Sequence, residues 1–513
     1  MFVRKLKSKQ GKTYIQVIDK SSRKYIVKKN IGSSFDEKEI QELVIKGHKW
    51  ISEHTGQQEI NFSDTKQSIE KFFNSIRQMK LVGLELLLGK IFNDIGFNQI
   101  NEEIFKQLVI QRLSYPSSKL KTVEYLKRYY HIDWNEDKVY RYLDKLHNTQ
   151  KEFIQQISYQ HTLKILENVI SVVFYDVTTL YFQIDKEDEI RKRGFSKEGK
   201  HQNPQIVLGL LVSVDGYPLA YEIFEGNKFE GYTMLPVINR FKEKYKLDKL
   251  VIIADSGLLS NQNITELQNK GYEFILGARI KNETQLIKDK ILKLNLKNGE
   301  SEIIKKNDNL KLIISYSDKR AKKDSFNRER GLRRLEKHLK SGRLTKSNIN
   351  NRGYNKYLKM DGGITISIDM NKYNQDVAWD GLKGYITNTD LTKDEIIENY
   401  GHLWKIEKAF RISKHDLKIR PIYHRLQRRI EAHITINFVA YKVYKELERQ
   451  LKLKNATISP QKAIEIAENI FEIQVVVEST NEIMKKTLIL TDEQRYLSQL
   501  FNFGCQNEEN RKN

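Results

Sequence analysis

Apolar and polar positions change their period along this chain, and each change marks a new kind of element. Alternation comes first: Thr13-Tyr-Ile-Gln-Val-Ile and Lys24-Tyr-Ile-Val-Lys, separated by polar residues Asp19 to Arg23, predict a β-hairpin within residues 1–34. From Asp36 the apolar positions fall at helical spacing. They predict helices over 37–51, 69–92, 102–113, 120–130, 136–146 and 153–166, with Asp36 and Asn135 as N-caps.

Strand texture begins at Val169. Val169-Ile-Ser-Val-Val-Phe-Tyr, Gln205-Ile-Val-Leu-Gly-Leu-Leu-Val-Ser-Val and Leu219-Ala-Tyr-Glu-Ile-Phe read as three strands, the last two joined by the turn Asp215-Gly-Tyr-Pro218. A helix over 233–245, a strand over 250–254, a helix over 263–269 and a strand over 273–278 complete a mixed α/β sheet. Residues 280–384 interrupt it with short strand-like pieces at 311–316 and 364–368 and a helical spacing over 328–339. Gly384-Tyr-Ile-Thr-Asn resumes strand texture, and 393–413 and 428–451 are predicted helices on either side of Pro421.

Composition narrows the class. The 513 residues carry 89 Lys and Arg against 66 Asp and Glu, a net charge of +23, which points to a polyanionic partner. With 39% hydrophobic residues the chain is too apolar for a disordered basic protein. No apolar run approaches the ~20 residues of a membrane-spanning helix, and Met1-Phe-Val-Arg-Lys-Leu-Lys lacks a signal peptide's apolar stretch. These features predict a cytoplasmic protein with no membrane partner. Cys505 is the single cysteine, which excludes an internal disulfide and a cysteine zinc site. His402, His415, His424 and His433 have no metal-ligand spacing, and His201 lies in a loop close behind the first strand, where it could approach DNA or have no role.

Charge also singles out two stretches. Residues 319–359 contain 15 Lys and Arg and 3 Asp and Glu. Arg328, Arg330, Arg333 and Arg334 lie in its helical part and are candidates for gripping DNA phosphates; a merely solvated charge block is the alternative. Residues 119–146 interleave basic, aromatic and aliphatic positions over two helices. Such a pair can set one helix in a major groove, or be part of an ordinary bundle. The basic hairpin could touch phosphates or simply cap its neighbour.

Three acidic residues carry the chemistry. Asp176 in Val-Val-Phe-Tyr-Asp-Val-Thr-Thr and Asp255 in Val-Ile-Ile-Ala-Asp-Ser-Gly each follow a buried-strand pattern, and Glu407 in Leu-Trp-Lys-Ile-Glu-Lys lies in a helical one. Carboxylates converging within ~4 Å would repel by roughly 4 kcal/mol per pair at an effective dielectric near 20. Divalent cations remove that penalty, and an all-oxygen set suits Mg²⁺ or Mn²⁺. Two such ions can activate a water or a 3′-hydroxyl and stabilise the leaving oxygen of a phosphodiester. Tyr400, Trp404, Glu407, Arg411 and Lys414 recur at spacings of 4, 3, 4 and 3, so a continuous helix would align them on one face. That face is either a nucleic-acid contact, with Tyr400, Arg411 and Lys414 on the cleaved strand, or a packing surface.

These motifs resemble the DDE transposases of bacterial insertion sequences, in the group whose third acidic residue lies in a Tyr-Arg-Glu-Lys signature. Asp176-Val-Thr178 and Asp255-Ser-Gly257 match the first two motifs, and Tyr400, Glu407 and Lys414 fall on the third in register. Leu403 stands where the signature has Arg, so Lys405, Arg411 or an arginine from elsewhere would take over its role. The likeness spans roughly residues 169–441. It implies an α/β, ribonuclease-H-like catalytic domain with a mixed sheet, interrupted by a β-rich insertion and preceded by a mostly helical DNA-binding region. Asp255 and Glu407 are 152 residues apart, far more than one α/β connection needs.

The implied organisation is a basic β-hairpin (1–34), a helical DNA-binding region (35–167), the first part of the catalytic domain (168–280), a basic insertion (281–383), a second catalytic part with the Glu helix (384–451), and a C-terminal helical region and tail (452–513). The implied activity is metal-dependent cleavage at transposon ends and strand transfer into target DNA. Asp176, Asp255 and Glu407 would bind two Mg²⁺ or Mn²⁺ ions. The partners would be terminal inverted repeats, target DNA and a second copy of the chain in the DNA complex, in a bacterial cytoplasm and on the nucleoid. A ribonuclease-H-like nuclease without strand transfer and a transposase-derived DNA-binding regulator are the alternatives.

Overall fold

The computed structural model describes residues 1–21, 24–55, 62–196, 199–247, 249–350, 353–362, 365–477 and 481–503. Ser22 and Arg23 of the first turn, Ile364, and Cys505 with the polar end of the chain lie outside them. The chain divides into two compact units, Met1–Met79 with Glu472–Lys486, and Lys80–Phe471 with Thr487–Asn513.

In the first unit, β1 (Phe2–Lys7), β2 (Thr13–Asp19) and β3 (Ile26–Ser34) form an antiparallel sheet in that order, one strand more than the expected hairpin. Ile15, Val17 and Ile18 of β2 are buried, and α1 (Glu37–Thr55) packs on the sheet. Asp36 accepts a hydrogen bond from Lys38 N–H at 3.3 Å. After α2 (Phe62–Ser75) the expected helix over 69–92 does not continue. Ile76-Arg-Gln-Met-Lys-Leu is strand β4 (Ile76–Leu81), whose side chains alternate between sheltered and exposed.

The second unit opens with α3 (Lys90–Ile95), α4 (Glu103–Ser114), α5 (Lys119–Tyr130), α6 (Glu136–Lys145) and α7 (Lys151–Ile165). Ser118 and Asn135 cap α5 and α6 by accepting from the Lys121 and Lys138 N–H groups.

A meander follows: β5 (Val172–Tyr181), β6 (Gln205–Ser213) and β7 (Pro218–Glu225), with Gly216 at φ +79° in the β6–β7 turn. Then come α8 (Met234–Tyr245), β8 (Val251–Ala254), α9 (Asn261–Asn269) and β9 (Glu273–Ala278), β8 parallel to β5 and β9 parallel to β8. Every residue of β6 is buried, because both faces of the sheet are covered.

The next stretch corrects an expectation. It holds α10 (Gln285–Leu292), β10 (Ser301–Asn307), β11 (Leu310–Tyr316), α11 (Asp318–Lys340), β12 (Leu358–Asp361), β13 (Thr365–Ile368) and α12 (Met370–Val377), and leads into β14 (Leu382–Thr387). It is not a separate β-rich domain. β11 pairs with β14 and β14 with β9, so the insertion's main hairpin lengthens the sheet to eight strands, ordered β10-β11-β14-β9-β8-β5-β6-β7. The apolar Leu312, Ile313 and Ile314 of β11 are fully buried there. Outside the sheet the largest element is the 23-residue helix α11.

The predicted helix over 393–413 is broken into α13 (Lys393–Gly401) and α14 (Trp404–Arg411). A Thr392–Glu395 capping box starts α13, and Gly401, a poor helix former, ends it. Then follow α15 (Gln427–Leu453), α16 (Pro460–Ala467), β15 (Phe471–Val477), β16 (Glu482–Leu488) and α17 (Asp492–Phe501). β15 and β16 correct the all-helical expectation for 452–513. Phe-Glu-Ile-Gln-Val-Val-Val is β-branched and alternating, and it pairs in the order β16-β15-β4. Among the described residues no helix is long and apolar enough to cross a membrane.

Candidate active site

Strand register brings the first two acids together. β5 and β8 run parallel with Tyr175 opposite Ala254, so Asp176 and Asp255 are the next residues on neighbouring strands, which lie about 4.8 Å apart in any sheet. Val173, Phe174, Tyr175 and the whole of β8 are buried; Asp255 follows the end of β8, whereas Asp176 lies within β5, which continues through buried Val177 to Leu180 and so is not the strand end its apolar run suggested. Asp176 is half-buried and its Oδ1 accepts from Val177 N–H at 2.7 Å. Asp255 is exposed and precedes a short 3₁₀ turn, Ser256–Leu258.

Glu407 arrives on α14, exposed, and faces the same cavity as Asp255. That cavity, of about 390 Å³, is also lined by Tyr400, Trp404, Lys383 and Arg320. Asp176 is not in its lining. Among the described residues, no three Asp, Glu, His or Cys side chains group closely enough to enclose a metal ion. The donors present nevertheless suit a hard divalent cation: two exposed carboxylates on one cavity, a third carboxylate one strand away, and no sulfur or imidazole in the lining.

Tyr400 has a different place from the one its spacing predicts. It is 5% exposed, and its hydroxyl donates to Asp255 Oδ1 at 3.2 Å. The break between α13 and α14 takes it off the exposed face that carries Trp404, Glu407 and Arg411. Burial, and then the neighbouring Asp255 charge, push its phenol well above the ordinary tyrosine range, so it stays a donor. Gly277 on β9 makes room for it, since a Cβ there would lie 2.4 Å from the Tyr400 hydroxyl oxygen and 2.9 Å from Ser256 N.

Leu403 is 7% exposed and belongs to the core, so the position of the signature arginine is apolar in packing as well as in sequence. Lys405 does not replace it: its ammonium donates to Val214 O and lies 3.8 Å from Asp215. Arg411 is exposed at the end of α14 and Lys414 is half-buried in the turn after it. Two cations that the motifs did not reveal stand in the cavity. Arg320 opens α11, donates to Leu382 O at 3.2 Å and pairs with Asp324 at 3.5 Å. Lys383 lies on β14, its ammonium 4.3 Å from the Tyr400 ring centre. Burial, then Arg320, lower its pKa, against the opposing pull of Asp255 and Glu407. The only sequence signal for Lys383 is a polar residue in an otherwise apolar strand, Leu382-Lys-Gly-Tyr-Ile-Thr.

The basic stretch is sorted by α11. Arg330, Arg333 and Arg334 are exposed, with Arg333 3.7 Å from Glu329. Arg328 is not exposed. It is 8% accessible, forms an ion pair with Asp380, and lies over the Tyr373 ring at 5.3 Å, because the helix turns it inward. It lines a second cavity of about 520 Å³, which shares Ser256 and Arg320 with the first. There Asp376 is bonded by Lys281 at 2.8 Å, by the Tyr357 hydroxyl at 2.6 Å, and by Lys356.

Residues 167–442, more than half of the chain, match the family described as Transposase DDE domain. Among solved structures the chain is similar to the piggyBac transposase synaptic complex with hairpin DNA, at 10% identity and TM-score 0.37, covering 83% of this chain and 85% of that one. It is also similar to the Mos1 transposase paired-end complex with left transposon end, at 12% identity and TM-score 0.16, covering 44% of this chain and 71% of that one. A search of curated proteins returns no match.

Proposed function

The chain belongs to the Transposase DDE domain family, and from that premise we propose that it cuts DNA at the ends of its own insertion sequence and joins them to target DNA, with Asp176, Asp255 and Glu407 as the catalytic acids. The observation that carries this reading is the parallel pairing of Tyr175 with Ala254, which puts Asp176, within β5, beside Asp255, at the end of β8, with Glu407 on the cavity that Asp255 faces. The order β7-β6-β5-β8-β9, antiparallel and then parallel, supports a ribonuclease-H-like core.

Asp176, Asp255 and Glu407 would hold two Mg²⁺ or Mn²⁺ ions. When bound, such ions supply Lewis-acid activation of the attacking oxygen and charge stabilisation of the leaving one. The chain's own residues do the rest. Tyr400 fixes the Asp255 carboxylate through Oδ1 and leaves Oδ2 for other ligands. Trp404, 52% exposed beside Glu407, offers an aromatic face on which an unpaired base can stack. Arg411, Lys414, Arg330, Arg333 and Arg334 would bind phosphates around the cut. In this reading residues 35–167 contain the reader of the ends: α5 and α6 expose Lys121, Lys127, Arg128, Lys138, Arg141 and Lys145. A second copy of the chain would hold the other end.

The test uses DNA that flanks the coding region. The full chain with Mg²⁺ or Mn²⁺ is expected to cut a duplex carrying that sequence at one position and to join the 3′ end to a plasmid. Cutting without joining would leave a nuclease, and sequence-specific binding without cutting would leave a regulator.

A further inference from the structure

We infer that Lys383 is a phosphate-binding residue of the catalytic centre, supplying from strand β14 the cation that the helix lacks at Leu403. The inference rests on the transposase reading above and names a member of that same site. Lys383 lines the cavity together with Asp255 and Glu407. β14 pairs with β9, which pairs with β8, so the lysine stands on the same sheet as Asp255 and is held by the sheet's register. Its ammonium is 4.3 Å from the Tyr400 ring centre and 5.3 Å from that of Tyr385, two rings packed edge to face at 4.9 Å. The aromatic floor holds the charge over the cavity without consuming its hydrogen bonds.

Among the described residues Lys383 has no hydrogen-bond acceptor and no ion pair. A half-buried ammonium with three free donors is costly unless a ligand satisfies it. In a cavity that admits a DNA strand, the acceptor at hand is a phosphate oxygen, which a lysine binds as a point charge. The other cation lining the cavity, Arg320, is committed to Asp324 and Leu382, and nearby Lys405 to the β6–β7 turn. Leu403 is core, so nothing at the signature position can do this work.

The experiment compares the full-length wild type with Lys383→Met, Lys383→Arg and Asp255→Ala on a duplex taken from the DNA flanking the coding region. Cutting is followed with Mn²⁺, and binding is followed in EDTA over a range of salt. Lys383→Met is expected to cut about 100-fold more slowly, as when one group stabilising the reacting phosphate is removed. Its log-affinity against log-salt slope should shallow by ~0.9, one phosphate contact on duplex DNA. Lys383→Arg should recover the slope and come within about tenfold of the wild-type rate, since it restores the charge and not the shape. A Lys383→Met protein with unchanged slope overturns the inference, whatever its rate, because a lysine that only neutralises the acids or packs on Tyr400 leaves the slope alone. If Asp255→Ala is dead while Lys383→Met keeps both rate and slope, the transposase site stands and the lysine's role falls. If Asp255→Ala cuts like the wild type, both fall.

Discussion

Two adjoining cavities, sharing Ser256 and Arg320, treat charge in opposite ways. In the larger one the sheltered charges are matched within the protein, Arg328 with Asp380 and Asp376 with Lys281, Lys356 and the Tyr357 hydroxyl, while the exposed Arg279, among the described residues, donates only to Gly257 O. In the smaller one Asp255, Glu407 and Lys383 face the same space without forming an ion pair among the described residues. Paired charges hold a fold together, whereas charges with no opposite charge beside them are available to a metal ion or a phosphate. In the proposed reading the richer set of charged residues is the structural one, and the sparser set is the one assigned to the chemistry.

The largest expected effect separates the two. Asp176→Ala, Asp255→Ala and Glu407→Ala should each lower cutting by ~10³-fold or more while leaving the thermal midpoint close to wild type. Asp380→Ala should do the reverse. It leaves the buried Arg328 uncompensated and should cost about 3 kcal/mol in a denaturant titration, with cutting retained below the melting temperature.

Acid sharpens the comparison. Burial alone would raise the Asp376 pKa, but hydrogen bonds from Lys281, Lys356 and Tyr357 prevail and hold it at about 2. A depressed carboxyl contributes stability above its unfolded pKa and loses it as pH falls through the folded value. Asp376→Asn should therefore cost about 2 kcal/mol at pH 7. The gap from wild type should close between pH 4 and pH 2, read as the difference between two pH-dependent denaturation series. A gap that persists at pH 2 would mean that packing, not charge, makes the difference.

A smaller effect is expected at Gly277. Gly277→Ala would push the Tyr400 hydroxyl off Asp255 and should slow cutting by about tenfold, in line with loss of an outer-shell partner. Tyr400→Phe should reproduce that loss without the steric cause, and a tenfold drop in only one of the two would break the link between them.

What the sequence revealed follows the same division. The adjacency of Asp176 and Asp255 was legible because each follows a run of buried β-branched and aromatic residues and the two runs pair in parallel, but that β5 continues past Asp176 was not. Glu407 was legible through its motif, but the face around it was not. A period of 3.6 assumes an unbroken helix, and the break after Gly401 sends Tyr400 inward. Arg328 was misjudged for a related reason. Composition cannot tell which side of a basic helix meets Asp380, a residue 52 positions away. Lys383 left only a polar residue in an apolar strand, because its place on the cavity comes from the β14–β9–β8 register, which only the fold supplies. β4, β15 and β16 were missed where short alternating runs sat between helical stretches.

In the proposed reading Asp176 on β5, Asp255 at the end of β8 and Glu407 on α14, and not the acids of the neighbouring cavity, take up the divalent ion. Iron-mediated cleavage of the polypeptide measures this directly. The full-length protein is loaded with Fe²⁺, treated with ascorbate and peroxide, and its fragments are mapped. Cuts are expected near residues 176, 255 and 407, competed away by Mg²⁺ and abolished in Asp255→Ala. Cuts centred on Asp376 and Asp380, or a fragment pattern unchanged in Asp255→Ala, would contradict it.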